Sequence, residues 1–101
     1  MPFKTRTDVK GLHRFIYAEG ADPEHLRLHV SEVGPGQSSH PPHQHEGHEI
    51  FFVLEGDGEV LVGDESHRVS KGEALQVHCP ILHGIKNVGS TSLRYAVIIA
   101  K

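Results

Sequence analysis

The stretch HQHEGHEIFFVLEG, residues His43–Gly56, carries both the fold signal and the chemical signal of this chain. Its second half, His48 to Leu54, is dense in aromatic and β-branched residues and reads as a strand. It runs into Glu55-Gly56-Asp57-Gly58, where the Asp-Gly pair predicts a hairpin returning as Glu59 to Val62. The first half holds His43-Gln44-His45. In extended backbone, residues two apart project to the same side, so both imidazoles can reach one point. Glu49 lies four residues beyond His45, again an even spacing, and joins them if the strand continues. Phe51 and Val53 share the face of Glu49 and line the space behind it.

Outward from this stretch the chain alternates short β-prone runs with glycine and proline breaks, and no segment has a sustained helical period. Leu26, Leu28 and Val30 alternate with Arg27, His29 and Ser31, which predicts a half-buried strand over His25 to Val33. Further strands are predicted at Ser66 to Ser70, Ala74 to His78, His83 to Val88 and Ser92 to Ala100, with a weaker one at His13 to Tyr17. The last long run is apolar on both faces and is expected to be covered twice, by the interior and by a second subunit. About eight strands with regular turns predict an all-β sandwich or barrel with little or no helix.

The bulk composition narrows the function classes. The 101 residues suit one domain with a thin core, which gains from a bound metal or a partner. Ten basic against thirteen acidic residues give a net charge of −3 and no basic stripe, so nucleic acid is not an expected partner. The longest apolar runs, Ile50 to Leu54 and Tyr95 to Ala100, are too short to span a bilayer, and no membrane partner is expected. No apolar run follows the basic residues of Met1 to Lys10, so no secretory signal is expected. A single cysteine, Cys79, excludes an internal disulfide framework and fits a cytoplasmic protein.

Histidine is the unusual residue, with ten in the chain and His40, His43, His45 and His48 within nine positions. His43, His45 and Glu49 form a candidate metal site, and His83, opening a strand after the turn at Pro80, is the best fourth ligand. Three imidazole nitrogens and one carboxylate oxygen suit one divalent ion of Fe, Mn, Ni, Co or Zn. On a six-coordinate ion such a set leaves positions open for water or a small molecule.

At this point the sequence resembles the cupin superfamily. His43, His45, Glu49 and Gly56 match its first motif, although Gln37 stands where the motif opens on glycine. Gly72, His83 and Asn87 match its second, with His78 and Pro80 replacing a proline and a glycine of the turn. The resemblance covers Val30 to Ala100. It implies a one-domain double-stranded β-helix, or jelly-roll barrel, holding the metal inside. It also implies a homodimer whose N-terminal segment, residues 1–24, is exchanged between subunits. The superfamily contains dioxygenases, isomerases, decarboxylases, lyases and metal-free binding modules, so the fold alone does not choose a reaction.

Other residues carry alternatives. If Arg27 and His29 face inward, Arg27 binds a substrate carboxylate and His29 moves a proton; otherwise Leu26, Leu28 and Val30 are inside and both are surface. Phe51 and Tyr95 are candidate substrate contacts, although Tyr95 reads first as a hydrogen-bonded barrel tyrosine. His48 is expected at the rim, His40 in the loop, and Cys79 as a structural residue. Three functions follow. The first is a metal-dependent enzyme on a small oxygen-rich substrate, of isomerase, lyase or dioxygenase type. The second is a non-catalytic metal-dependent module for a small ligand, and the third a histidine-based pH sensor.

Overall fold

The computed structural model describes residues 2–101, none of them helical. Nine strands follow in order: β1 (Phe3–Arg6), β2 (Phe15–Ala18), β3 (Leu26–Val33), β4 (His48–Glu55), β5 (Asp57–Val62), β6 (Glu65–Ser70), β7 (Ala74–His78), β8 (His83–Asn87) and β9 (Leu93–Ala100). They form a four-stranded sheet ordered β3-β9-β4-β7, a three-stranded sheet ordered β6-β5-β8 and the separate hairpin β1-β2. The two larger sheets face each other as a double-stranded β-helix, the all-β jelly-roll architecture expected from the sequence. Among the described residues no helix is long and apolar enough to cross a membrane.

Alternation places the core. On β4 the buried positions are Glu49, Phe51 and Val53, and on β9 Leu93, Tyr95, Val97 and Ile99 line the same interior. Val53, Val60 and Leu93 have no exposed surface and fill the floor between the sheets. Arg27, His29 and Ser31 of β3 share that inward face, because Arg27 pairs with Ile99, His29 with Val97 and Ser31 with Tyr95. The alternative with Leu26 and Leu28 inside is therefore overturned. Leu28, with half-buried Ile98, lines an outer groove of about 460 Å³ that Phe15 and Tyr17 of the N-terminal hairpin also border. The chain's own hairpin thus borders the outer face of β3 and β9 across this groove. The connector between β1 and β2 docks on the sheet edge, where the Val30 amide donates to the Lys10 carbonyl at 2.9 Å.

The hairpin expected at Asp57-Gly58 is absent. β4 pairs with β7 and β9, whereas β5 pairs with β6 and β8, so the chain crosses between sheets at Gly56. Gly56 takes φ +89° there, and a side chain on it would meet the Ser92 carbonyl. Asp57 and Gly58 already lie in β5. Gly58 is glycine because a Cβ would stand 3.1 Å from Ile85 Cδ1 and 3.3 Å from Leu93 Cδ2. Strand β1 was not anticipated, since its four residues are exposed or half-buried with no apolar alternation.

Asn87, completely buried, closes the end of the barrel opposite the histidines. Its Nδ2 donates to the carbonyls of Val33 (3.0 Å) and Thr91 (2.8 Å), and its Oδ1 accepts from the Gly89 amide at 2.9 Å. Asn87→Ala removes these bonds and leaves the part-buried carbonyls of Val33 and Thr91 without this donor. The expected loss is about 2–4 kcal/mol of unfolding free energy, read as a lower urea midpoint at unchanged slope. A loss under about 0.5 kcal/mol would show that water replaces the side chain there.

Candidate metal centre

Three segments bring the four predicted ligands together. Glu49 is the first inward residue of β4 and is 5% exposed. His83 opens β8 on the opposite sheet and is fully buried. His43 exchanges backbone hydrogen bonds with His83 (2.9 and 2.8 Å), which fixes the loop carrying His43 and His45 against β8. The loop is pinned again where the His45 amide donates to the Cys79 carbonyl and the Cys79 amide to the Gly47 carbonyl, each at 3.0 Å. The strand does not run unbroken from His45 to Glu49, as even spacing had suggested. Gly47 at φ +97° turns the chain over the Ala100 carbonyl, and that bend aims His45 back at Glu49.

One ligand atom from each of His43, His45, Glu49 and His83 falls within 4.8 Å of the other three. Ligands about 2.1 Å from a shared ion stand roughly 3–4.2 Å apart, so closing on an ion requires only small shifts. Glu49 Oε2 lies 2.6 Å from His45 Nε2 and 2.9 Å from His83 Nε2. The Nδ1 atoms of His45 and His83 each sit 2.8 Å from a backbone carbonyl, of Glu46 and Ile81. Donation from Nδ1–H to those carbonyls turns each Nε2 toward the Glu49 carboxylate, where it shares a proton without a metal and offers a lone pair once a cation displaces that proton. Two imidazole nitrogens aimed at one carboxylate oxygen form a ligand set for a positive centre. These residues fit a metal ion, and the cluster can hold one divalent cation.

The electrostatics favour the ligating forms. Burial disfavours ionised Glu49, but hydrogen bonds from His83 and from the Cys79 thiol (3.4 Å) outweigh it and hold the carboxyl below its ordinary value. Burial, followed by neighbouring histidines, keeps His43 neutral to lower pH than a free imidazole. Cys79, with no exposed surface, is pushed up to about 12 by burial and by the Glu49 carboxylate. It remains a thiol donating to Glu49.

A cavity of about 250 Å³ opens beside the cluster. Arg27, His29, Phe51 and Tyr95, the four other predicted site residues, all line it. Tyr95 is 2% exposed, meets Phe51 edge-on, and its hydroxyl lies 2.9 Å from Ser39 Oγ. Burial first, then the charges of Lys10 and Arg27, lower the pKa of His29, so its ring is neutral at neutral pH. His40 lines the cavity mouth and stacks on His43 at 4.3 Å between ring centres, while His48 is exposed beside His78, away from the cluster. Lys10, Ser31 and Ser39 also line the cavity without having been singled out. Alternation with Arg27 and His29 could have found Ser31. No local pattern marks Lys10, which arrives from the hairpin connector.

Known proteins share this architecture. The cupin domain family matches residues 29–99, and the chain belongs to that family. Auxin-binding protein 1 of Arabidopsis thaliana is 29% identical over 86 residues, covering 75% of this chain, and the chain spans only 42% of that protein. The crystal structure of TT1209 from Thermus thermophilus superposes with a TM-score of 0.69 at 28% identity, over 74% of this chain and 71% of that one. A predicted oxalate decarboxylase from Thermotoga maritima gives a TM-score of 0.69 at 26% identity, over 76% and 68%.

The shifted groups set the pH dependence of the metal-free protein. His43 and His29 have folded pKa values below the ordinary 6.5, so their contribution is complete above 6.5 and is lost as pH falls through the folded values. Glu49 adds a second loss as pH falls below its ordinary 4.5. Urea midpoints measured from pH 8 to 4 after chelation are expected to be level above 6.5 and to decline in two stages below it. A midpoint that rises on acidification would contradict the assigned protonation states.

Proposed function

We propose that this cupin is a metal-dependent enzyme acting on a small oxygen-rich molecule, with His43, His45, Glu49 and His83 as the ligands of one Fe, Mn, Ni, Co or Zn ion. The observation that carries this reading is that the ligand cluster opens into a cavity of about 250 Å³ which a neutral histidine also faces. When bound, the metal supplies Lewis-acid polarisation of a substrate carbonyl, enediol or carboxylate oxygen. His29, neutral and half-buried, accepts a proton at its free ring nitrogen from the polarised substrate. The Tyr95 hydroxyl, held by Ser39, orients a substrate oxygen, and Phe51 with Val97 excludes water from the inner wall. The reaction types supported are isomerisation, lyase chemistry or, with iron, oxygenation. A second reading, a non-catalytic module that binds a small ligand at the metal, draws support from the relative whose name denotes binding.

The test is turnover by protein purified without chelator, assayed over small hydroxy, keto and dicarboxylic acids with metal content measured in parallel. His45→Ala is expected to lose metal and turnover together. His29→Asn is expected to keep metal while turnover falls about 100-fold or more. Full activity in His29→Asn removes the assigned base, and stoichiometric metal with no turnover on any compound favours the binding module.

We also propose a homodimer built through the N-terminal segment. Phe3 and Ile16 lie diagonally on one face of the β1-β2 hairpin and are 56% and 50% exposed, and Leu26 at the start of β3 is 59% exposed. Sedimentation is expected to give a dimer, and Ile16→Asp a monomer; a monomeric wild type would contradict the assembly.

A further inference from the structure

We infer that the molecule taken at this centre has two polar ends, and that Arg27 together with Lys10 holds a terminal carboxylate or phosphate while the other end meets the metal. This deepens the metal reading and rests on it.

Register defines the spacing. Arg27 of β3 pairs with Ile99 of β9, and Ile99 pairs with Glu49 of β4. The three residues form one row across adjacent strands, so Arg27 and Glu49 stand two strand spacings apart, ~10 Å between backbones. Both side chains enter the same interior. The guanidinium therefore reaches toward the centre across the length of a short carbon chain.

Charge defines the ligand. Among the described residues neither Arg27 nor Lys10 has an ion-pair partner, and Arg27 Nε is buried with no hydrogen-bond acceptor. A buried donor without a partner is costly and rare in folded proteins. The acids nearby are committed elsewhere. Asp8 is held by Arg6 through two bonds of 3.0 Å, and Glu49 belongs to the histidine cluster. Arg27 and Lys10 thus face the cavity without an ion pair, Glu49, the acid that also lines it, being taken up by the histidine cluster, and His29 beside them stays neutral.

Shape sets the size. A second cavity of about 280 Å³ lies beneath the N-terminal connector, and Lys10, Arg27, His29 and Ile99 line both chambers. The cationic wall is the partition between them. A ligand with its metal-binding head in the inner chamber places its tail on this wall. An acid with a backbone of about three to five carbons spans the gap. The planar guanidinium of half-buried Arg27, its Nε without an acceptor, suits a carboxylate or phosphate group rather than a neutral hydroxyl.

The test uses zinc-loaded protein titrated calorimetrically with acetate, malonate, succinate, glutarate and 2-phosphoglycolate. At least one two-headed acid is expected to bind on the order of tenfold tighter than acetate. The order of the dicarboxylates against 2-phosphoglycolate identifies the preferred anionic group. Arg27→Gln is expected to abolish the preference while leaving zinc stoichiometry unchanged, with Lys10→Gln giving a smaller loss. Should Arg27→Gln fail to fold, Arg27→Lys, which keeps the charge but not the fork, is expected to retain an intermediate preference. Two-headed acids that bind no better than acetate would overturn the inference, as would a preference that survives in Arg27→Gln.

A separate arm isolates this inference from the metal reading. In chelator-treated His45→Ala protein, 2-phosphoglycolate is expected to shift the His29 ring resonances, and to lose that effect when Arg27→Gln is added. If wild-type protein takes up no zinc but this shift persists, the metal reading fails and the anion site stands. If the shift is absent, the anion site fails whatever zinc does.

Discussion

A carboxylate from one sheet and an imidazole from the other meet at 2.9 Å inside this barrel, and the rest of the site is arranged around that contact. Glu49 and His83 are both buried, so neither can turn to water for a partner. Removing a carboxylate from water is expensive unless donors or a cation surround it. His45, His83 and Cys79 all converge on the same Glu49 oxygen. The loop from His43 to Gly47 is pinned to both β8 and the Cys79 turn so that this convergence holds. Three imidazoles around one carboxylate form a ligand set for a divalent cation, because backbone carbonyls hold the Nδ1 side of His45 and His83 and leave each Nε2 directed at Glu49.

The barrel divides its labour along its length. Valine and leucine side chains with no exposed surface fill the floor, and Asn87 ties the far end with three hydrogen bonds to backbone groups. The other end holds the polar cluster and its cavity. This separation lets ligand chemistry vary at the mouth without disturbing the packing that supports it, consistent with one family serving many reactions. The N-terminal hairpin has two roles. It walls an apolar groove along the outer face of β3 and β9, and its connector brings Lys10 to the edge of the cavity. A piece of chain outside the family's matched span therefore contributes to the shape and charge of the site.

Much of this was legible in the sequence for a physical reason: strand periodicity is short and local. The β-prone run His48 to Leu54, with Glu49, Phe51 and Val53 on one face, and the run Ser92 to Ala100, apolar on both faces, read as strands because each packs on a continuous core. The His43, His45 and Glu49 grouping was visible, although the bend at Gly47 rather than an unbroken strand produces it. His83 was placed by its position after a turn and by family resemblance. Three features escaped. The Asp57-Gly58 pair mimics a tight turn, while its glycine serves close packing against Ile85 and Leu93. The inward face of β3 was undecidable because Leu26, Leu28 and Val30 are as apolar as an interior row, and only the hairpin beside them explains why. Lys10 was invisible because its role comes from tertiary placement of an irregular connector.

The central claim, one cation shared by three imidazoles and one carboxylate, is tested most directly by anomalous X-ray scattering from crystals of protein purified without chelator. Data collected across the absorption edges of iron, manganese, nickel, cobalt and zinc are predicted to show a single peak within bonding distance of His43, His45, Glu49 and His83. Density confined to the exposed His48 and His78 pair, or no anomalous peak within the cluster in crystals soaked with each of these metals, would contradict it.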